Sequence, residues 1–294
     1  MKILVFGATG MIGHKMFQLL TMNNLEASGT VRHAPANYLS VSFFANQRII
    51  PSIDVTKLAS VQSLLNSRNP DIIINCVGIT LRKPEIKDEE LCVKVNAEFP
   101  HFLKKYVEVN KKYLIHFSTD CVFSGKADSY TEDSKPDATD VYGRTKALGE
   151  VSGDHALTLR GSQLGSEVFG KSELLEWAIA QSGQSIKGYD QAIYSGVTTN
   201  GVADLVADLI QRPKRLTGLY QVASQPISKY DLLCKVNQIF KLRMKIEPDS
   251  SYKNRKVLSA AKIASEIGYR CASWDQMLQQ TYQDRIKNKD LYGA

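Results

Sequence analysis

At 294 residues the chain is long enough for about two domains, or for one large domain with an elaborated end. Hydrophobic residues make up 43% and charged residues 23%, proportions of a folded globular protein that argue against disorder, collagen-like repeats and coiled coil. The net charge of +7, from 37 Lys and Arg against 30 Asp and Glu, is spread thinly without an aromatic-interleaved basic stripe, so it suits a small anionic ligand and not nucleic acid.

Met1-Lys2-Ile3 runs straight into a strand over residues 2–6 with no leader pattern, and the apolar run at 71–79 is less than half of the roughly 18 residues a membrane helix needs. A cytoplasmic protein with no membrane partner is expected. After the first strand a helical pattern covers 11–22, then strand 26–31, strand 48–53, helix 57–67, strand 71–76, helix 89–109 and strand 113–117. Several of these strands are continuously apolar, as strands covered on both faces are. Regular alternation with helices implies parallel strands and right-handed crossovers, a Rossmann-type doubly wound α/β sheet. A helix over 142–151 and a strand over 156–160 continue the pattern. Beyond residue 160 it loosens, with helices expected at 172–181, 201–211, 228–240 and 259–267 between loops rich in Gly, Ser, Asp and Pro. Residues 1–160 therefore form a dinucleotide-binding domain, and 161–294 a small α/β substrate lobe interlocked with it. Five cysteines, an odd number with no C-x-x-C pair, suggest reduced thiols and neither a disulfide framework nor zinc.

The strongest local signal is the first strand running into Gly7-Ala8-Thr9-Gly10-Met11-Ile12-Gly13 and then a helix. Glycines at such a turn let the backbone approach a pyrophosphate, and the helix N-terminus offers free N–H groups to its charge. At the end of the second strand Thr30-Val31-Arg32-His33 carries no acid to bind a ribose 2′-hydroxyl. Arg32 can pair instead with a 2′-phosphate, which favours NADPH, with NADH as the alternative cofactor. Tyr142 and Lys146 stand four apart at the start of a helix, on one face, so an ammonium can lie near the phenol and favour its ionised form. Ser118-Thr119-Asp120 follows the fifth strand, at the carboxyl edge where such a sheet presents residues to ligand.

Together, Gly7 to Gly13, Asn75-Cys76-Val77-Gly78 after the fourth strand, Ser118 through Gly125, and Tyr142 through Lys146 resemble the extended short-chain dehydrogenase/reductases. Within them the chain looks most like dTDP-4-dehydrorhamnose reductase and its relatives, and Gly196-Val197-Thr198-Thr199 and Gly218-Leu219-Tyr220 extend the likeness over nearly its whole length. The resemblance implies that Thr119, Tyr142 and Lys146 are the catalytic residues, that Asp54 and Val55 meet the adenine, and that Cys76, Val77 and Gly78 flank the cofactor. It implies an NADPH-dependent oxidoreductase acting on a nucleotide-linked 4-keto-6-deoxy sugar, in the supply of cell-surface polysaccharide precursors. No metal is needed for that chemistry, in which Tyr142 supplies a proton, Thr119 hydrogen-bonds the same oxygen and Lys146 grips the nicotinamide ribose.

Two departures touch the presumed sugar pocket: Cys121 stands where the rhamnose-pathway enzymes usually carry a tyrosine, and Gln163 where they usually carry a tryptophan. Some relatives bind magnesium at a dimer contact through a glutamate on the first helix, whereas this chain has His14-Lys15 there, so a homodimer stays open but a magnesium-linked one is not expected. Lys253, Arg255 and Lys256, just before a helix, are expected to meet the substrate pyrophosphate. Two other functions use the same framework. One is a sugar-nucleotide epimerase or dehydratase, which usually keeps NAD bound; the other is a non-catalytic dinucleotide-binding subunit, like the partner subunit of methionine adenosyltransferase.

Overall fold

Isoleucines and leucines that alternate along the first strands decide the architecture, because successive side chains of a strand face opposite ways. A computed structural model describes residues 1–23, 25–33, 38, 40–45 and 48–292. In chain order the first part comprises β1 (Lys2–Phe6), α1 (Met11–Met22), β2 (Glu26–Thr30), α2 (Ser42–Ala45), β3 (Ile49–Ile50), α3 (Leu58–Arg68), β4 (Ile72–Asn75), α4 (Glu89–Val93), α5 (Phe99–Asn110), β5 (Tyr113–Ser118), α6 (Val141–Leu148) and β6 (Ala156–Arg160). The remainder comprises β7 (Gln163–Leu164), α7 (Leu174–Ala180), β8 (Ser185–Tyr189), β9 (Ala192–Tyr194), β10 (Val197–Thr198), α8 (Thr199–Gln211), β11 (Gly218–Gln221), β12 (Ile227–Ser228), α9 (Lys229–Phe240), β13 (Lys245–Asp249), β14 (Asn254–Lys256), α10 (Ala261–Ile267), α11 (Trp274–Lys287) and α12 (Lys289–Tyr292).

The central sheet has seven strands, in the order β3-β2-β1-β4-β5-β6-β11, every neighbouring pair parallel. Ile3, Val5, Ile72 and Ile74 face one side, where they pack with Phe17 and Leu20 of α1 and Val202 and Val206 of α8. Leu4, Phe6 and Ile73 face the other, against Val61 and Leu65 of α3 and Phe99 and Leu103 of α5. Each side is a separate buried cluster, as expected for a doubly wound sheet. The strand order reverses between β1 and β4, which opens a crevice at their carboxyl ends.

Several boundaries differ from the sequence pattern for identifiable reasons. The strand expected over 48–53 shrinks to Ile49–Ile50, because Pro51 has no N–H to donate and Ser52 turns the chain at φ 59°. The helix expected over 89–109 is broken by a π turn at Lys94–Glu98, just before Pro100, whose ring cannot complete an ordinary helical hydrogen bond. β11 returns from beyond residue 160 to pair with β6, and α8 covers α1, so the later residues complete the first layer as well as building the lobe. The lobe is assembled from three small sheets (β10-β7, β12-β9-β14 and β13-β8) around α9 and α11. α11 was not anticipated from the sequence, although Ser273 and Gln276 form a capping box at its start.

Candidate active site

Gly7 adopts φ +80°, a backbone conformation that favours glycine. A Cβ on Gly13 would collide with the Gly7 carbonyl oxygen, so only glycine lets α1 lie this close to the turn. The Gly10 N–H donates to Gly7 O at 3.0 Å, and Gly10 caps α1 without a side-chain hydrogen bond. The first N–H groups of α1 are thereby left for a ligand. Thr9 lies on this turn, and Met11 and Ile12 form one wall of the crevice. On the neighbouring strand Val77 N–H donates to Asn75 Oδ1 at 3.1 Å and Cys76 N–H to Phe6 O at 3.1 Å, which holds Cys76, Val77 and Gly78 beside the glycine turn.

Arg32 leaves the end of β2 with its side chain 60% exposed. Its guanidinium lies 3.4 Å from Glu85 Oε1, an acid delivered by the short turn Pro84–Lys87 after β4. The sequence at the end of β2 contains no such acid; it arrives from a distant segment. Asp54 accepts from Thr56 N–H at 3.0 Å and from Thr56 Oγ1 at 2.7 Å, and these hydrogen bonds hold its carboxyl below the usual range. Val55 beside it is buried.

Thr119 ends β5 and is buried, its hydroxyl accepting from Cys121 N–H at 3.1 Å and donating to Asp120 Oδ1 at 3.2 Å. α6 starts at Asp140, whose Oδ1 caps Gly143 N–H at 2.9 Å, and it carries Tyr142 and Lys146 one turn apart. Burial pushes the Tyr142 phenol up, so the phenol holds its proton. Lys146 donates to Phe117 O at 2.7 Å and is brought down to about 8 by burial, against the pull of Glu150 and Cys76.

A residue that the sequence reading missed fixes α6 in place. Asn96, in the π turn, accepts from Ile79 N–H at 2.9 Å and donates to Ile79 O at 3.0 Å and Thr145 Oγ1 at 3.1 Å. A Cβ on Gly149 would strike the Asn96 carbonyl, so glycine there lets the helix end meet the π turn. The only sequence signal was a buried polar residue inside a helical pattern.

Thr119, Asp120, Cys121 and Tyr142 open with Met11 and Ile12 into one cleft of about 610 Å³. Gln163, Arg82, Glu173, Lys229 and Lys256 lie on its walls, and the partly exposed rings of Tyr189 and Tyr252, 5.2 Å apart, stand at its lobe end. Burial alone would lower the Lys256 ammonium, but Cys121 and Asp120 outweigh it and hold the group above the ordinary lysine value. Burial pushes the Cys121 thiol up to about 11, so it stays protonated. Burial likewise raises the Glu173 carboxyl, against Arg82, whose Nε is 3.5 Å away.

The model of the family described as RmlD substrate binding domain matches residues 1–286. The chain belongs to this family. It is 31% identical over 152 residues to a probable dTDP-4,6-dihydroxy-2-methyloxan-3-one 4-ketoreductase of Streptomyces antibioticus, a match covering 51% of this chain and 45% of that protein. It is 25% identical to methionine adenosyltransferase 2 subunit beta of Danio rerio over 82% of this chain and 74% of that protein. The crystal structure of dTDP-4-dehydrorhamnose reductase from Bacillus anthracis in complex with NADP shares the fold, with TM-score 0.80 and 18% identity over 97% of this chain and 100% of that one.

Within this family member the expected site residues fall into two groups. The glycine turn, Cys76–Gly78, Thr119, Tyr142, Asp120, Cys121, Gln163 and Lys256 converge on the crevice and its cleft, with Arg32, Asp54 and Val55 beyond the ends of β2 and β3. Arg255 and Lys253 do not line the cleft: Arg255 Nε donates to Asp128 O at 2.8 Å, and Lys253 is exposed. Adjacent residues of β14 point to opposite faces, so Lys256 reaches the cleft and Arg255 cannot. Cations at Arg82, Lys187 and Lys229 line it instead, from segments with no basic motif.

His14 and Lys15, at the place associated with a metal-linked dimer contact in relatives, are buried against the chain's own C-terminal helices. His14 Nε2 lies 3.2 Å from Tyr292 Oη and Lys15 Nζ 2.5 Å from Asp284. Burial brings His14 down to about 4. His116, on β5, is fully buried with Nδ1 3.1 Å from Asn75 Nδ2, but its Nε2 has no partner among the described residues. Among the described residues no group of His, Cys, Asp or Glu could hold a metal, and no helix is long and apolar enough to cross a membrane.

Proposed function

We propose that the protein is an NADPH-dependent reductase of a nucleotide-linked 4-keto-6-deoxy sugar. The observation that carries this reading is the shared cleft: the open N-terminus of α1, Thr119 and a protonated Tyr142 meet in one cavity, walled on the lobe side by lysines. The glycine turn, with no room for a Cβ on Gly13, fits a dinucleotide pyrophosphate, and Arg32 fits a 2′-phosphate. Bound there, the cofactor supplies a hydride. Tyr142 holds the proton that the sugar oxygen needs as charge develops on it, and Thr119 is placed to hydrogen-bond the same oxygen. Lys146, buried and drawn to Phe117 O, steadies the end of β5 and would hold the nicotinamide ribose.

On the substrate side Asp120, Cys121 and Gln163 would surround the sugar, and Lys256 would face its diphosphate. A cysteine and a glutamine are smaller or more polar than the aromatic residues of the rhamnose-pathway enzymes, which leaves room for a different substituent. The reading carries a cytoplasmic setting and is compatible with a homodimer. A second reading, a non-catalytic dinucleotide-binding subunit, draws on the likeness to the methionine adenosyltransferase subunit. Thr119, Tyr142 and Lys146 in one place favour catalysis. A panel of dTDP- and UDP-linked 4-keto-6-deoxy sugars, followed by NADPH absorbance, separates the two. Oxidation of NADPH with one member of the panel is expected; inactivity with all of them, together with retained NADPH binding, would favour the subunit reading.

A further inference from the structure

Lys229, the first residue of α9, projects into the cleft with its ammonium 3.3 Å from the centroid of the Tyr194 ring. Among the described residues no carboxylate pairs with it directly and no acceptor hydrogen-bonds it; Asp120 and Cys121 act on it only at longer range. Tyr194 is 4% exposed, and its hydroxyl has no partner among the described residues. The side-chain amide nitrogen of Gln163 and the hydroxyl of Thr80, on the same cleft, are likewise buried without partners there. Burying an ammonium or a polar hydrogen without an acceptor is costly, and here several such donors line one cleft. What they lack in common is an acceptor. Lys256 and Arg82 add positive charge nearby, while Asp120 supplies one fixed carboxylate and Glu173 is engaged with Arg82.

We propose that Lys229, together with Tyr194, receives a diphosphate oxygen of the nucleotide-linked substrate. This rests on the reading of the cleft as a sugar-nucleotide site and adds to it a ligand that no sequence motif marks. In the free cleft burial brings Lys229 down to about 8, the Asp120 carboxylate pulling it up and Arg82 and Lys256 pulling it further down. An arriving oxyanion favours the charged form, so binding near pH 8 takes up a proton at Lys229. Lys256 is already charged at that pH and contributes none, and Cys121 stays a thiol; the other titratable groups on the walls are Asp120, Glu173, Lys187 and the phenols of Tyr142, Tyr189, Tyr194 and Tyr252.

Calorimetric titration of UDP-glucose and dTDP-glucose into protein saturated with NADP⁺ tests this, because their diphosphate diesters do not titrate near pH 8 and Lys146 is then already engaged by cofactor. Heats measured in buffers of different ionisation enthalpy give the protons taken up. The wild type should take up part of a proton. Lys229→Met should bind about ten- to a hundredfold more weakly, with the uptake gone, as expected for losing a charged hydrogen bond. Lys229→Arg, which stays charged, should bind without proton uptake. Melting curves check that both variants fold. Affinity of Lys229→Met within twofold of wild type, or uptake unchanged in Lys229→Arg, overturns the assignment. If the wild type binds neither sugar nucleotide, the reading of the cleft itself fails, which is distinct from a failure at Lys229.

Discussion

The two ends of the cleft are built by different means. The cofactor end is made of backbone: seven consecutive residues, Gly7 to Gly13, turn from β1 into α1 and present N–H groups whose direction the sheet fixes. The substrate end is made of side chains gathered from the loop after β4, from β9, from the start of α9 and from β14, segments far apart in the chain. A backbone-built site depends on the absence of side chains at a few positions, whereas a side-chain site depends on charges that tertiary packing brings together. The first tolerates no Cβ, and the second tolerates no change of charge.

Substitutions that act on one end alone should expose this division. The largest effect is expected at the junction, where Tyr142→Phe removes only the proton donor: kcat should fall by about 10²- to 10⁴-fold while NADPH affinity, read by fluorescence titration, stays near wild type. Near-normal turnover would remove Tyr142 from its role. Gly13→Ala tests the backbone end. Its methyl group meets the Gly7 carbonyl, which cannot move without disturbing the turn, so overpacking should cost about 1–3 kcal/mol of stability and NADPH binding should weaken more than sugar-nucleotide binding. Equal affinity for NADPH in the folded variant would show that the turn is not the cradle.

At the substrate end Lys256→Ala should raise KM for the sugar nucleotide about tenfold or more with little change in kcat, whereas Lys253→Ala, on an exposed loop, should leave both unchanged. Equal effects at the two positions would mean that the lobe closes differently over substrate. The smallest effects belong to the Arg32–Glu85 pair. Arg32→Ala should weaken NADPH selectively, and Glu85→Gln, which frees the guanidinium from a partly exposed ion pair, should strengthen NADPH relative to NADH by about two- to fivefold. Parallel changes for both cofactors would show that the pair does not reach the 2′ position.

The same division explains what could be read from the sequence. The glycine turn and the helical spacing of Tyr142 and Lys146 are local patterns, each visible within a dozen residues, and the doubly wound sheet follows from short apolar strands that alternate regularly with helical patterns. Asn96, Lys229 and Glu85 were not legible because their roles depend on partners 17 or more residues away: Asn96 on Ile79 and Thr145, Lys229 on Tyr194, Glu85 on Arg32. The basic run at Lys253–Lys256 misled in part for the same reason. Charge was visible, but the strand that splits Arg255 from Lys256 was not.

Transfer of a labelled hydride tests the central claim most directly. The protein is incubated with NADPH carrying deuterium at the transferred position and with dTDP- and UDP-linked 4-keto-6-deoxy sugars, and the sugar nucleotides are analysed by mass spectrometry and NMR. A reductase of this kind places one deuterium on C4 of the sugar per NADPH oxidised, and the Tyr142→Phe variant does so only slowly. A sugar recovered without deuterium at C4, or one that has exchanged ring hydrogens with solvent while NADPH stays intact, would contradict the account.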